Sequence, residues 1–114
     1  MSVWPGSTSN GLTLPDSNVF VNVTKSIISG NGGAAVLANV SSTTANIDRS
    51  TIANNTIGLE AAAASTIRIS GNNIYNNTTG ILIANGGTVQ SDGTNKHGNS
   101  NGGPRVPNAS FALY

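Results

Sequence analysis

Hydrophobic and polar residues alternate along this chain in short bursts, as in "FVNVT" (Phe20 to Thr24), "TIRIS" (Thr66 to Ser70) and "GILIA" (Gly80 to Ala84). A period of two predicts strands with one face buried. Gly, Asn and Ser punctuate the bursts, so the predicted strands are only three to five residues long. No apolar stripe at i, i+3, i+4 and i+7 survives that punctuation. The run Ala61 to Ala64 is made of good helix formers, but Gly58 before it and "STIRIS" after it leave no length for a helix.

The bursts repeat. Asn31, Asn55, Asn77 and Asn99 are spaced 24, 22 and 22 residues apart. Each follows a Gly or Asn, and five positions earlier stand Ser26, Ser50, Asn72 and Thr94. The alternating pairs Val21/Val23, Ala45/Ile47, Ile67/Ile69 and Val89/Ser91 keep the same spacing. A second set, Leu12/Leu14, Val36/Ala38, Leu59/Ala61 and Ile81/Ile83, keeps it to within one residue. Strands this short, recurring at this period, wind into a solenoid in which each pairs in parallel with its copy one turn on, ~4.8 Å away. Three short strands per turn of about 22 residues make a parallel β-helix of about four rungs. The asparagines then have a physical reason: a corner needs a residue tolerant of left-handed backbone, and a buried Asn amide bonds the same Asn on the next rung.

The stretches "VTKSIISGNGG", "NIDRSTIANNTIG", "IRISGNNIYNNTTGI" and "TVQSDGTNKHGNSNG" resemble the right-handed parallel β-helix family of the pectate-lyase-like superfamily. They are similar in particular to the C-terminal rungs of exported bacterial β-helix proteins of no assigned function. The resemblance supplies the right hand, which the spacing does not, and implies an exported or cell-surface parent protein. It also implies that the last rung decays into a Gly/Asn-rich form. On that reading Lys96 stands where Ile28, Ile52 and Ile74 stand in earlier rungs and ends the core. Residues 11–102 are the expected solenoid, 1–10 an N-terminal segment with Trp4 as a cap, and 103–114 a tail whose Phe111, Leu113 and Tyr114 cover the last rung. Leu12 and Leu14 already fit the second strand column, so the chain reads as part of something longer.

Composition narrows the function classes. Only 8% of residues are charged while 37% are hydrophobic, and polarity comes from 17 Asn and 14 Gly. That is not the signature of disorder. A net charge of +1 with two Phe, two Tyr and one Trp argues against nucleic acid as a partner. No cysteine is present for disulfides or thiolate metal sites. Met1 to Asn10 has no basic and apolar signal-peptide pattern, and no apolar run reaches the ~20 residues of a membrane span.

Candidate chemistry lies on the outward positions. Asp48 and Asp92 fall in one outward column two rungs apart, about 9.6 Å by rung spacing, the upper edge of what an inverting glycosidase needs. Arg68 and Arg49 lie nearby to hold an acidic sugar. Tyr75 and His97 are expected in one corner column, their rings stacked as a small aromatic edge for sugar. The bland readings are solvated aspartates, a corner histidine and a covering tyrosine. Four acidic residues spread over separate rungs do not converge on a calcium ion, and no cofactor is expected. Thr13, Leu37, Glu60 and Leu82 form an outward column in the second strand set, and its leucines suit the tail or a second copy of the chain.

These readings favour a non-enzymatic structural or interaction module that self-associates through its open ends or the Leu37/Leu82 face. A carbohydrate-binding segment of a surface protein comes second, and a remnant of a polysaccharide lyase or hydrolase third.

Overall fold

A computed structural model describes residues 3–5, 10–14, 17–98 and 109–110. The strands in chain order are β1 (Val3–Pro5), β2 (Leu12–Leu14), β3 (Phe20–Thr24), β4 (Ile27–Ser29), β5 (Ala34–Ala38), β6 (Thr44–Asp48) and β7 (Thr51–Ala53). They continue with β8 (Ile57–Ala61), β9 (Thr66–Ser70), β10 (Asn73–Tyr75), β11 (Thr79–Ile83), β12 (Thr88–Ser91), β13 (Lys96–Gly98) and β14 (Ala109–Ser110). No helix long and apolar enough to cross a membrane occurs among the described residues.

The chain visits three sheets in rotation. The first has the order β1-β4-β7-β10-β13, the second β2-β5-β8-β11, and the third β3-β6-β9-β12-β14. Every pairing is parallel and joins a strand to its copy one turn on. The result is an all-β solenoid of about four turns.

Pairing in register stacks like on like. Val21, Ala45, Ile67 and Val89 form one inward column, and Val23, Ile47, Ile69 and Ser91 form another. Leu12, Val36, Leu59 and Ile81 form a third, and Ile28, Ile52 and Ile74 a fourth. In the middle rungs these side chains are fully buried. Each buried Ile, Leu or Val contributes ~1.5–3 kcal/mol of transfer free energy, which makes the core the main stabilising term.

Left-handed residues mark the corners between sheets. From the first sheet to the second these are Gly30, Asn54 and Asn76; from the third to the first, Lys25, Arg49 and Gly71. The wider corner from the second to the third uses Ser42, then Ala63 and Ala64, then Asn85 and Gly86. The two jobs expected of one asparagine are thus divided. Asn54 and Asn76 take the left-handed backbone, and Asn55 and Asn77 behind them are buried to bond the next rung.

The ladder itself is present. The Asn31 N–H and Nδ2 donate to Asn55 Oδ1 at 3.0 and 2.8 Å, and Asn55 repeats both bonds to Asn77 Oδ1 at 3.0 Å. Asn99 lies outside the described residues. A second ladder runs along the neighbouring corner. The Ser26 N–H donates to Ser50 Oγ, the Ser50 N–H to Asn72 Oδ1, and the Asn72 N–H and Nδ2 to Asn95 Oδ1. Asn95, not Thr94, holds the last position.

One extra residue between Asp92 and Asn95 causes that shift, and it corrects two further expectations. Lys96 pairs with Asn73 on the outward column, and His97 is the residue opposite Ile74. Lys96 therefore does not replace the core isoleucine. Gly98, not His97, stands opposite Tyr75.

Residues Val3–Pro5 pair with Ile27 to Ser29, adding a strand before the first full rung. Ala109 and Ser110 pair with Gln90 and Ser91 beyond the last. Phe111, Leu113 and Tyr114 lie outside the described residues.

Candidate functional site

The outward face of the third sheet carries most of the ionisable candidates, because alternation sends every second residue of β3, β6, β9 and β12 to solvent. Register confirms the columns Asn22/Asn46/Arg68/Gln90 and Thr24/Asp48/Ser70. Asp92 continues the second column, since its Oδ2 accepts from Ser70 Oγ at 2.7 Å. Ser70 thus lies between Asp48 and Asp92 and is bonded to one of them.

The two carboxylates live differently. Asp48 is partly exposed and accepts from Arg49 Nε at 2.9 Å, in the one ion pair among the described residues. Asp92 accepts from the Thr94 N–H at 3.0 Å and from the Thr94 hydroxyl on Oδ1, in addition to Ser70 on Oδ2. Burial raises the Asp92 pKa, but these hydrogen bonds from Thr94 and Ser70 together outweigh it and hold the carboxyl below its ordinary value. A general acid needs the opposite shift. The turn Asp92-Gly93-Thr94 is an Asx turn, with its aspartate closing the loop over the extra residue.

The other column is tied in the same way. Arg68 Nε donates to Gln90 Oε1 at 2.8 Å, and Asn46 Nδ2 donates to Asn22 Oδ1 at 3.2 Å. Asn46 Oδ1 is buried without a hydrogen-bond partner. Polar side chains on this face therefore pair either rung to rung, as in Asn46–Asn22, Arg68–Gln90 and Ser70–Asp92, or with a near neighbour in the chain, as in Arg49–Asp48 and Thr94–Asp92, in place of converging on one point.

Tyr75 is 42% exposed at the end of β10. His97 is not in its column, so the expected ring pair is not assembled by the register. The second-sheet column is as expected: Thr13 pairs with Leu37, Leu37 with Glu60 and Glu60 with Leu82. Leu37, Glu60 and Leu82 are half-buried, as is Ile57 at the start of β8. Among the described residues no three of His, Asp and Glu come together as metal ligands.

Two features were open to sequence reading and passed over. The hydroxyl-or-amide column at Ser26, Ser50 and Asn72 was visible, but not that it forms a ladder. The Asx turn was signalled by Asp92-Gly93-Thr94, a carboxylate two residues before a hydroxyl.

A family described as right-handed β-helix region matches residues 6–112. The chain belongs to that family. The right-handed β-helix is therefore the fold in hand as well as in strand order. No curated protein and no solved structure gives a significant match.

Proposed function

We propose that this right-handed β-helix is a non-enzymatic structural or interaction module that associates with further copies of itself. The observation that carries this reading is how its outward groups are used. Asp48, Asp92, Arg68 and Asn46 are each bonded within the array, and the half-buried Leu37 and Leu82 stand on either side of Glu60 in an outward column of the second sheet. Such a surface offers contact area, and the Asp92 carboxyl has its pKa shifted away from what a general acid needs. On the same reading the parent protein is exported or at the cell surface, a proposal supported by the resemblance of these rungs to exported pectate-lyase-like proteins.

Light scattering across a dilution series tests it. A mass above that of one chain, falling on dilution, is the expected result. A single-chain mass at every concentration would remove self-association from the proposal.

Tyr75 favours a second reading, carbohydrate binding, because an exposed ring flanked by the exposed Asn54 and Asn76 suits a sugar face. Titration with neutral and acidic oligosaccharides should move the Tyr75 ring resonances on that reading and leave them fixed on the first. If instead the chain is a remnant polysaccharide enzyme, Asp48→Asn abolishes turnover of such substrates.

A further inference from the structure

Asparagine followed by glycine is the pairing most open to a reaction of the chain with itself, because a glycine has no Cβ to hinder the approach of its backbone nitrogen to the amide. The pair occurs at Asn10, Asn31, Asn85 and Asn101, and Asp92-Gly93 is its acidic counterpart. Asn101 lies outside the described residues. The fold treats the others differently.

Asn31 is 3% exposed, and its Nδ2 donates to Asn55 Oδ1 at 2.8 Å in the ladder. Asn10 Oδ1 accepts from the Ala34 N–H at 2.8 Å, while the Gly11 N–H donates to the Ala34 carbonyl at 2.9 Å. The Gly93 N–H donates to Ser91 Oγ at 3.1 Å, and the Asp92 carboxylate is held by Ser70 and Thr94. Each of these pairs has its side chain, its nitrogen or both tied down.

Asn85-Gly86 is the exception. Both residues are exposed. They are the central residues of a turn, at φ 49° and 82°, closed by the Gly87 N–H donating to the Ala84 carbonyl at 2.9 Å. Such a turn uses neither the side chain of its first central residue nor the N–H of its second. Among the described residues neither group has a hydrogen-bond partner. One bond to the neighbouring rung holds the peptide unit between them, from the Ala64 N–H to the Asn85 carbonyl at 3.2 Å. A Cβ on Gly86 would meet nothing closer than the Ala64 nitrogen at 3.7 Å, so the corner is open around it. The peptide unit can therefore swing toward the side chain at the loss of one bond.

From this geometry we infer that Asn85 is a site of self-modification, at which the folded chain converts an amide into a carboxylate. The step needs only water. With the peptide unit swung round, the Gly86 backbone nitrogen gives up its proton and attacks Asn85 Cγ. The new C–N bond closes a cyclic imide, the Cγ–Nδ2 bond breaks, and Nδ2 leaves as ammonia with a proton. Water then opens the imide at either carbonyl, leaving aspartate or isoaspartate. Either product takes the formal net charge from +1 to zero, and isoaspartate also lengthens the backbone by a methylene in the wide corner. The corner is thus a record of the age of the folded chain.

To test this, the full chain is aged at neutral and mildly alkaline pH, folded and in denaturant, and digested with trypsin. Asn10, Asn31, Asn85 and Asn101 then fall in separate peptides, Met1 to Lys25, Ser26 to Arg49, Ile69 to Lys96 and His97 to Arg105. Mass spectrometry reads the exchange of an amino group for a hydroxyl in each. In the folded chain, conversion at Asn85 should outrun that at Asn10 and Asn31 by about tenfold or more, a difference set by how readily each site opens. Conversion should be faster at the higher pH, and denaturant should bring the sites to similar rates. In Asn85→Gln, with circular dichroism to verify the fold, the peptide Ile69 to Lys96 should stop converting, because the longer side chain closes its ring far more slowly.

Equal rates at Asn10, Asn31 and Asn85 in the folded chain, or an Asn85 as well protected by folding as Asn31, would overturn the inference. Conversion of the peptide Ile69 to Lys96 that persists in folded Asn85→Gln would also overturn it, by placing the reaction at another asparagine. If Asn85→Gln unfolds, fragmentation of the parent peptide locates the converted residue and decides the same question.

Discussion

Ala63 and Ala64 both hold left-handed backbone, at φ 55° and 60°, in the wide corner between β8 and β9. One rung on, the same corner is built from Asn85 and Gly86, at φ 49° and 82°. Alanine is strained there and the Asn-Gly pair is not. Replacing Ala63 by Asn and Ala64 by Gly should stabilise the chain by ~1 kcal/mol, net of the extra chain entropy of glycine. Thermal unfolding should register this as a rise of a few degrees. Asp92 offers a second test at this scale. Because its pKa is lowered in the fold, its contribution is complete above the unfolded value near 4 and is lost as pH falls through the lower folded value. Asp92→Asn should therefore unfold at a lower temperature than the parent at neutral pH, and the gap should close in acid. Residue identity alone did not foretell the first feature, since an alanine run carries no mark of left-handed backbone; the second was signalled by Asp92-Gly93-Thr94, whose one inserted residue moved Asn95, Lys96 and His97 each by one column. The sharp pairing of Tyr75 with His97 failed for that reason.

Each corner and strand depends on what lies one rung away. Gly58 on β8 is small because a Cβ there would stand 2.5 Å from the Gly80 carbonyl oxygen and 3.1 Å from Asn77 Nδ2. Gly58→Ala should cost on the order of 1–3 kcal/mol in denaturant unfolding, since backbone must move to admit it. Asn55 accepts twice from Asn31 and donates through Nδ2 to the Ile28 and Ala53 carbonyls and to Asn77. Asn55→Ala strands several buried groups and should cost about 1–3 kcal/mol, well beyond Asn46→Ala, whose single bond to Asn22 is exposed. These elements were legible in advance. Period-two alternation and a 22-residue recurrence in several columns specify parallel stacking whatever the exact residues, which is why the core columns, the asparagine ladder and the Leu37/Glu60/Leu82 row were read in place. What the outward groups do was not, because hydrogen-bond partners such as Ser70 for Asp92 or Gln90 for Arg68 are chosen by rotamer.

At the scale of the whole molecule, cohesion is a sum of near-identical contacts between neighbouring turns. Ile52→Asp in the middle rung places a lone charge at a fully buried site and should abolish cooperative unfolding in circular dichroism, by severing the stack at its centre. The candidate site, by contrast, is spread over the outside of the stack.

The spacing of the ladders has an evolutionary reading. Ser50, Asn72 and Asn95 meet across intervals of 22 and 23 residues, and Ser26 meets Ser50 across 24, with the surplus taken up at corners. For such a chain, gaining or losing one whole rung is nearly silent: every column closes over the change and each ladder finds its next member. A loss of half a rung shifts every downstream residue to the wrong sheet. A chain built this way can therefore change length by whole turns, and its corners absorb single-residue insertions, as the one at Asp92-Gly93-Thr94 does.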